Sequence, residues 1–153
     1  MMPMKLDAID RRILRVLQED GRCPNNELAR RVGLSPSPCL RRVRLLEESG
    51  VIEGYVAVVD PAKAGFGVTA FVRIWLTGED ERQSEHFVEE IGKLPQVTEA
   101  HVLAGDCDFL LRVVAEDLPG LRRFQSEQLA RIKGVRSMKT DIPLLKVKNA
   151  SFA

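Results

Sequence analysis

The chain has 153 residues, 44% of them hydrophobic and 29% charged, with 23 Lys and Arg against 22 Asp and Glu. That composition excludes disordered, collagen-like and mucin-like classes, and the length suits one large domain or two small ones. No apolar run approaches the roughly 20 residues that span a bilayer, and the start reaches Asp7 without a hydrophobic stretch, so neither a membrane span nor a signal peptide is expected. The net charge of +1 hides an uneven distribution. Residues 28–46 hold Arg30, Arg31, Arg41, Arg42 and Arg44 and no acid; residues 118–153 sum to +6, and residues 76–117 to −8. A dense basic stretch attracts phosphate locally even on a near-neutral chain, although a solvated helix face has the same composition.

Leu6, Ile9, Ile13, Val16 and Leu17 recur at helical spacing and predict a helix over residues 7–19, started by Asp7 and stopped by Gly21. Leu28, Ala29 and Val32 predict a shorter helix over 25–32, capped by Asn25 or Asn26 and ended by Gly33, the cheapest left-handed residue. Ser35-Pro36-Ser37-Pro38 opens a third helix, with Ser35 as cap and both prolines in the first turn, where a missing N–H costs little. Leu40, Val43 and Leu46 are expected to face inward, while Ser37, Arg41 and Arg44 share another face with Arg42 beside it. Gly50 closes the helix.

Helix, tight glycine turn and basic helix make a helix-turn-helix, whose second helix lays its N-terminal part in the DNA major groove. Hydroxyls and backbone N–H groups there bind phosphate, and an arginine fork matches guanine O6 and N7. The candidate DNA-binding residues are therefore Ser35, Ser37, Pro38, Arg41, Arg42 and Arg44. The plain alternative is a helical hairpin with a basic surface.

Val51 to Val59 reads as an exit strand broken by Asp60-Pro61, and Lys63 to Gly67 as the end of a linker. A strand over 68–77, a helix over 81–94, strands over 97–104 and 108–115, a helix over 119–133 and a strand over 136–147 interrupted at Pro143 complete the order. Glu79-Asp80-Glu81 reads as helix N-terminal acids. This is β-α-β-β-α-β, so the fold class is α+β: a three-helix helix-turn-helix domain (1–60), a linker (61–67) and a ferredoxin-like domain (68–153). Halves of this size are marginal in core, and pairing through the sheets would stabilise them while presenting two recognition helices.

Cys23, Cys39 and Cys107 are widely spaced and odd in number, which indicates neither zinc nor a disulfide framework and suits a reducing cytoplasm. His86 and His101 stand beside no nucleophile at a recognisable spacing, so no catalytic role is expected. Gly65 to Ala70 fits G-x-G-x-x-A but leads into a β-branched run instead of a helix, so it is not a dinucleotide site. Asp106 and Asp108 flank a tight hairpin, either as turn chemistry or as carboxylates facing a ligand ammonium.

Three stretches resemble the Lrp/AsnC family, the feast/famine regulators. They are Leu6 to Leu14, Gly33 to Val43 with Leu46-Glu47 and Gly50 to Tyr55, and Gly105 to Leu111. The resemblance covers residues 6–148 and implies a sequence-specific DNA-binding transcriptional regulator of amino-acid metabolism genes, not an enzyme. It implies an effector domain of the amino-acid-metabolism regulator (RAM) type, and double-stranded operator DNA as partner. It also implies dimers that assemble into octamers or related rings, and an amino-acid effector held between neighbouring subunits, with no other cofactor, no metal and no membrane. Mapped by position, the effector residues would be Ala104, Gly105, Asp106, Asp108, Thr140, Asp141 and Ile142. Ala104, Cys107 and Asp141 depart from the family's usual hydroxyl, aromatic and apolar or aromatic residues, which favours a polar or cationic amino acid, or no effector at all, over leucine. The alternatives are an architectural DNA-wrapping protein without a ligand switch, and a small ferredoxin-like enzyme.

Overall fold

The computed structural model of the chain describes residues 4–78 and 80–150. Glu79, expected among the helix N-terminal acids, lies outside the described residues. Two compact units are present, Met1–Val58 with Val147–Ala153, and Val59–Lys146.

The first unit contains α1 (Ala8–Glu19), α2 (Asn25–Val32) and α3 (Pro36–Glu48). Asp7 starts α1 in a reciprocal box. Its Oδ1 accepts from the Ile9 and Asp10 N–H groups at 2.9 and 2.8 Å, and Asp10 Oδ2 accepts from the Asp7 N–H at 3.1 Å. Each bond satisfies a donor that the first helical turn leaves unpaired. Ile13 and Val16 of α1 bury against Leu28, Ala29 and Val32 of α2 and against Cys39 and Leu46 of α3. Gly33 ends α2 at φ 78°, and its N–H donates to the Ala29 carbonyl.

Three local expectations change. Pro24 is the cap residue of α2 and makes no side-chain bond; Asn25 lies inside the helix, and its Nδ2 donates to the Pro36 carbonyl at 2.9 Å, tying the start of α2 to the start of α3. Leu40, expected inward, is 37% exposed, whereas Cys39 is 0% exposed. The inward row is Cys39, Val43 and Leu46, spaced i, i+4, i+7 along one helix face. The exit strand over 51–59 does not form. A strand needs a hydrogen-bonded neighbour, and Val56 and Val58 stand 89% and 91% exposed. Tyr55 instead folds back, donating its hydroxyl to Glu47 Oε1 at 2.9 Å.

The second unit runs β1 (Val68–Leu76), α4 (Glu81–Gly92), β2 (Val97–Val102), β3 (Phe109–Ala115), α5 (Leu118–Glu127), a 3-10 turn (Leu129–Arg131) and β4 (Val135–Asp141). The strand order is β2-β3-β1-β4 with antiparallel neighbours, the ferredoxin-like sheet. Alternation puts Ala70, Val72, Ile74 and Leu76 of β1 and Phe109, Leu111, Val113 and Ala115 of β3 into one core with Phe87, Ile91, Leu121 and Phe124 of the helices. Phe71, Arg73 and Trp75 alternate onto the other face of the sheet.

The second helix of this unit is shorter than its apolar pattern suggests. One straight helix would set Phe124 and Leu129 about 140° apart. The backbone leaves the helix at Gln128, and the 3-10 turn delivers Leu129 and Ile132 to the core. β4 stops at Asp141 instead of running to 147, because Pro143 lacks the N–H that a ladder uses. Residues 61–67 belong to this unit and form a hydrogen-bonded turn. The Phe66 N–H donates to the Pro61 carbonyl at 2.8 Å and the Gly67 N–H to the Glu116 carbonyl at 3.3 Å. A Cβ on Gly67 would meet that carbonyl oxygen at 3.0 Å, so glycine is what permits the approach.

Candidate DNA interface and effector region

The five arginines of the acid-free stretch, two on α2 and three on α3, separate into two groups. Arg30 holds Glu27 with Nη2 to Oε1 at 2.6 Å, Arg31 reaches Glu19 at 3.4 Å, and Arg42 Nη1 meets Asp7 Oδ2 at 2.7 Å and Asp10 Oδ1 at 2.9 Å. Asp10 is the one charged side chain among the described residues that is buried. Its carboxylate lies under the Arg42 guanidinium, so Arg42 pins α3 to the start of α1. The N–H of Asp10, and after it the Arg42 guanidinium, hold the Asp7 carboxyl down to about 2. Arg41 and Arg44, by contrast, are exposed and carry no ion pair among the described residues. With Ser37 they follow i, i+4, i+7 spacing and so lie on one face. Ser35 and Ser37 are exposed, Pro38 is half-buried, and the Ser35 hydroxyl makes no capping bond.

The sequence brings Arg42 and its neighbours together on a helical wheel. What separates it from Arg41 and Arg44 is a contact 32 and 35 residues away in the chain, for which local spacing carries no signal.

In the second unit the hairpin Leu103 to Asp108 is closed by the Leu103 N–H donating to the Asp108 carbonyl at 3.0 Å. It is locked onto β1 in three places. The Trp75 indole N–H donates to the Asp106 carbonyl at 2.7 Å, the Leu76 N–H to Asp108 Oδ2 at 2.7 Å, and the Asp108 N–H to the Ile74 carbonyl at 2.9 Å. Asp108 is thus half-buried and employed by the fold, whereas Ala104, Gly105 and the Asp106 side chain are exposed. Thr140 Oγ1 accepts from Gln125 Nε2, and Asp141 Oδ2 meets Arg73 Nη2 at 3.2 Å. Ile142 is exposed.

The two halves of the expected effector set do not meet within one chain. The hairpin sits beside Ile74 to Leu76, at the end of β1. Thr140 and Asp141 pair with Val72 and Phe71, on the opposite edge of β1. Four strand residues separate them by roughly 13 Å along β1, and the intervening strand spacings add roughly 10 Å across the sheet. Sequence reasoning missed Trp75, which holds the hairpin and carries the Arg73 and Lys139 cations 5.9 and 5.4 Å from its ring centroid. A lone tryptophan on a strand gave the only hint.

No group of three potential metal ligands occurs among the described residues, and no helix there is long and apolar enough to cross a membrane. Residues 6–53 match the family model for winged helix-turn-helix DNA-binding, and residues 69–151 that for the Lrp/AsnC ligand binding domain. A leucine-responsive regulatory protein of Rhizobium meliloti is 43% identical over 147 residues, covering 96% of this chain and 94% of its own. Its Escherichia coli K12 namesake is 41% identical over 146 residues, covering 95% and 89%. The crystal structure of a Neisseria meningitidis transcriptional regulator in complex with L-Met superposes with a TM-score of 0.91 at 35% identity, covering 96% of this chain and 95% of that one. With a DNA-binding helical unit followed by a ligand-binding ferredoxin-like unit, this chain belongs to the Lrp/AsnC family of ligand-responsive transcriptional regulators.

Proposed function

We propose that α3 enters the major groove of an operator and that Arg41 and Arg44 are the side chains that reach the DNA. The observation that carries this is the division of the arginine patch: Arg30, Arg31 and Arg42 are held by carboxylates of their own unit, and Arg41 and Arg44 are not. An uncommitted guanidinium keeps its planar fork for a base edge or a phosphate. Ser35, Ser37 and the nearby backbone at the start of α3 then bind phosphate and set register. Arg42 acts through position, fixing the angle at which α3 leaves α1.

The chain works as a dimer or larger ring. Val56, Val58 and Val59 are exposed on an unpaired extended segment, which suits pairing with the same segment of a second copy. Two subunits would also supply two copies of α3 for two half-sites about one helical turn apart. An amino acid is the effector, as supported by the ligand-binding family match and by the L-Met complex of the Neisseria relative. The exposed Ala104, Gly105 and Asp106 of one subunit and the Thr140 to Ile142 segment of another form the site, since one chain keeps them apart. The protein acts in the cytoplasm on the nucleoid, and it is not an enzyme.

The test is selection of binding sites from a random DNA pool followed by titration of the selected duplex. Arg41→Ala and Arg44→Ala should each weaken binding by ~1–3 kcal/mol. Affinity equal to the parent in both variants refutes the assignment.

A further inference from the structure

We propose that this chain carries a second small-molecule site, for a basic amino acid, in the cavity between the end of β3 and the start of α5. The inference rests on the amino-acid reading above but concerns a different place. The cavity is about 330 Å³, within the range of small-ligand sites. Its apolar wall is Phe66, Val114 and Phe124. It lies at the C-terminal end of β3, where Val114 and Ala115 line it, whereas the hairpin precedes Phe109, so the length of the strand puts roughly 20 Å between them.

The polar lining is unspent. Arg123, Glu116 and Glu127 line the same cavity and form no ion pair among the described residues. Gly120 lies in the wall, and a Cβ there would stand 3.8 Å from Arg123 Nη2, so the guanidinium folds over the first turn of α5 at the cavity's edge.

The charges of the lining specify the ligand. One arginine and two glutamates sum to −1, which a ligand of charge +1 neutralises. A basic amino acid fits each charged group once: its carboxylate to Arg123, its two cationic groups to Glu116 and Glu127, and its methylene stem to the two phenylalanines. A diamine lacks the carboxylate, and a neutral amino acid lacks the second cation.

Isothermal titration of the full chain with L-lysine, L-norleucine and cadaverine tests this, with amide hydrogen exchange locating the bound ligand. The expected result is binding of L-lysine, at least tenfold weaker binding of both analogues, and slowed exchange within residues 114–124. Arg123→Met and Glu127→Gln, both at exposed positions, should melt like the parent and each lose at least tenfold in L-lysine affinity. L-lysine binding that slows exchange in residues 103–108 or 140–142 and not in 114–124 would overturn this site and leave the amino-acid reading standing. Absence of L-lysine binding would overturn the site as well; titration with the other standard amino acids then decides the general reading separately.

Discussion

Removing the Asp108 carboxylate separates a structural hairpin from a ligand-holding one. Asp108 Oδ2 accepts the Leu76 N–H at 2.7 Å, and Leu76 is only 5% exposed. In Asp108→Ala that N–H loses its acceptor at a place where water reaches it poorly, which costs about 2 kcal/mol. A unit the size of Val59–Lys146 shifts its melting midpoint by about 4–8 °C per kcal/mol, so the expected fall is about 8–16 °C. Asp108→Asn keeps one acceptor oxygen and should lose less than half as much. The assay is thermal unfolding by circular dichroism without ligand, with all variants at one protein concentration, because self-association makes the midpoint concentration-dependent. If Asp108→Ala melts within about 1 °C of the parent, the structural reasoning is wrong. Loss of effector response at an unchanged midpoint, equal in Ala and Asn, would return Asp108 to a direct ligand role.

The helical unit should lose stability in acid. The Asp7 carboxyl is held at about 2 by the Asp10 N–H and the Arg42 guanidinium, below its unfolded value of about 3.9. A depressed folded value stabilises above the unfolded one, so this contribution is whole above about pH 4 and vanishes as pH falls through about 2. Urea midpoints measured from pH 5 to 2 should show it, and Asp7→Asn should flatten the curve. The Arg42–Asp10 contact is best measured by a double-mutant cycle with Arg42→Met and Asp10→Asn. Asp10 is buried but Arg42 is 32% exposed, so the coupling should lie near 1 kcal/mol, between exposed and fully buried pairs; a coupling of zero removes the brace. Gly33→Ala should cost about 1–2 kcal/mol, a backbone effect alone, since the new Cβ would meet nothing within 4 Å of a residue at φ 78°. A variant as stable as the parent in urea would contradict that.

Composition and periodicity alone determined most of the secondary structure. The spacing of Ile13, Val16, Leu28 and Val32 against Gly33, and of alternate apolar residues along β1 and β3, specifies helix and strand because those periods match backbone geometry. The three helices of the first unit and the β-α-β-β-α-β order follow from such local signals. The placing of arginines on the exposed side of α3 was equally legible. Tertiary structure decided what each polar group is free to do. Arg42 and Arg41 are adjacent and chemically identical, yet one is consumed by Asp7 and Asp10 across the helical core and the other is not. Asp106 and Asp108 look equivalent in the hairpin, yet only the Asp108 carboxylate is used by the Leu76 N–H. The strand expected over 51–59 had the right residues and no neighbour, and strand hydrogen bonds require one. Periodicity encodes which face of an element is apolar; it does not encode which distant group arrives opposite a charge, and that arrival separates the binding groups from the structural ones.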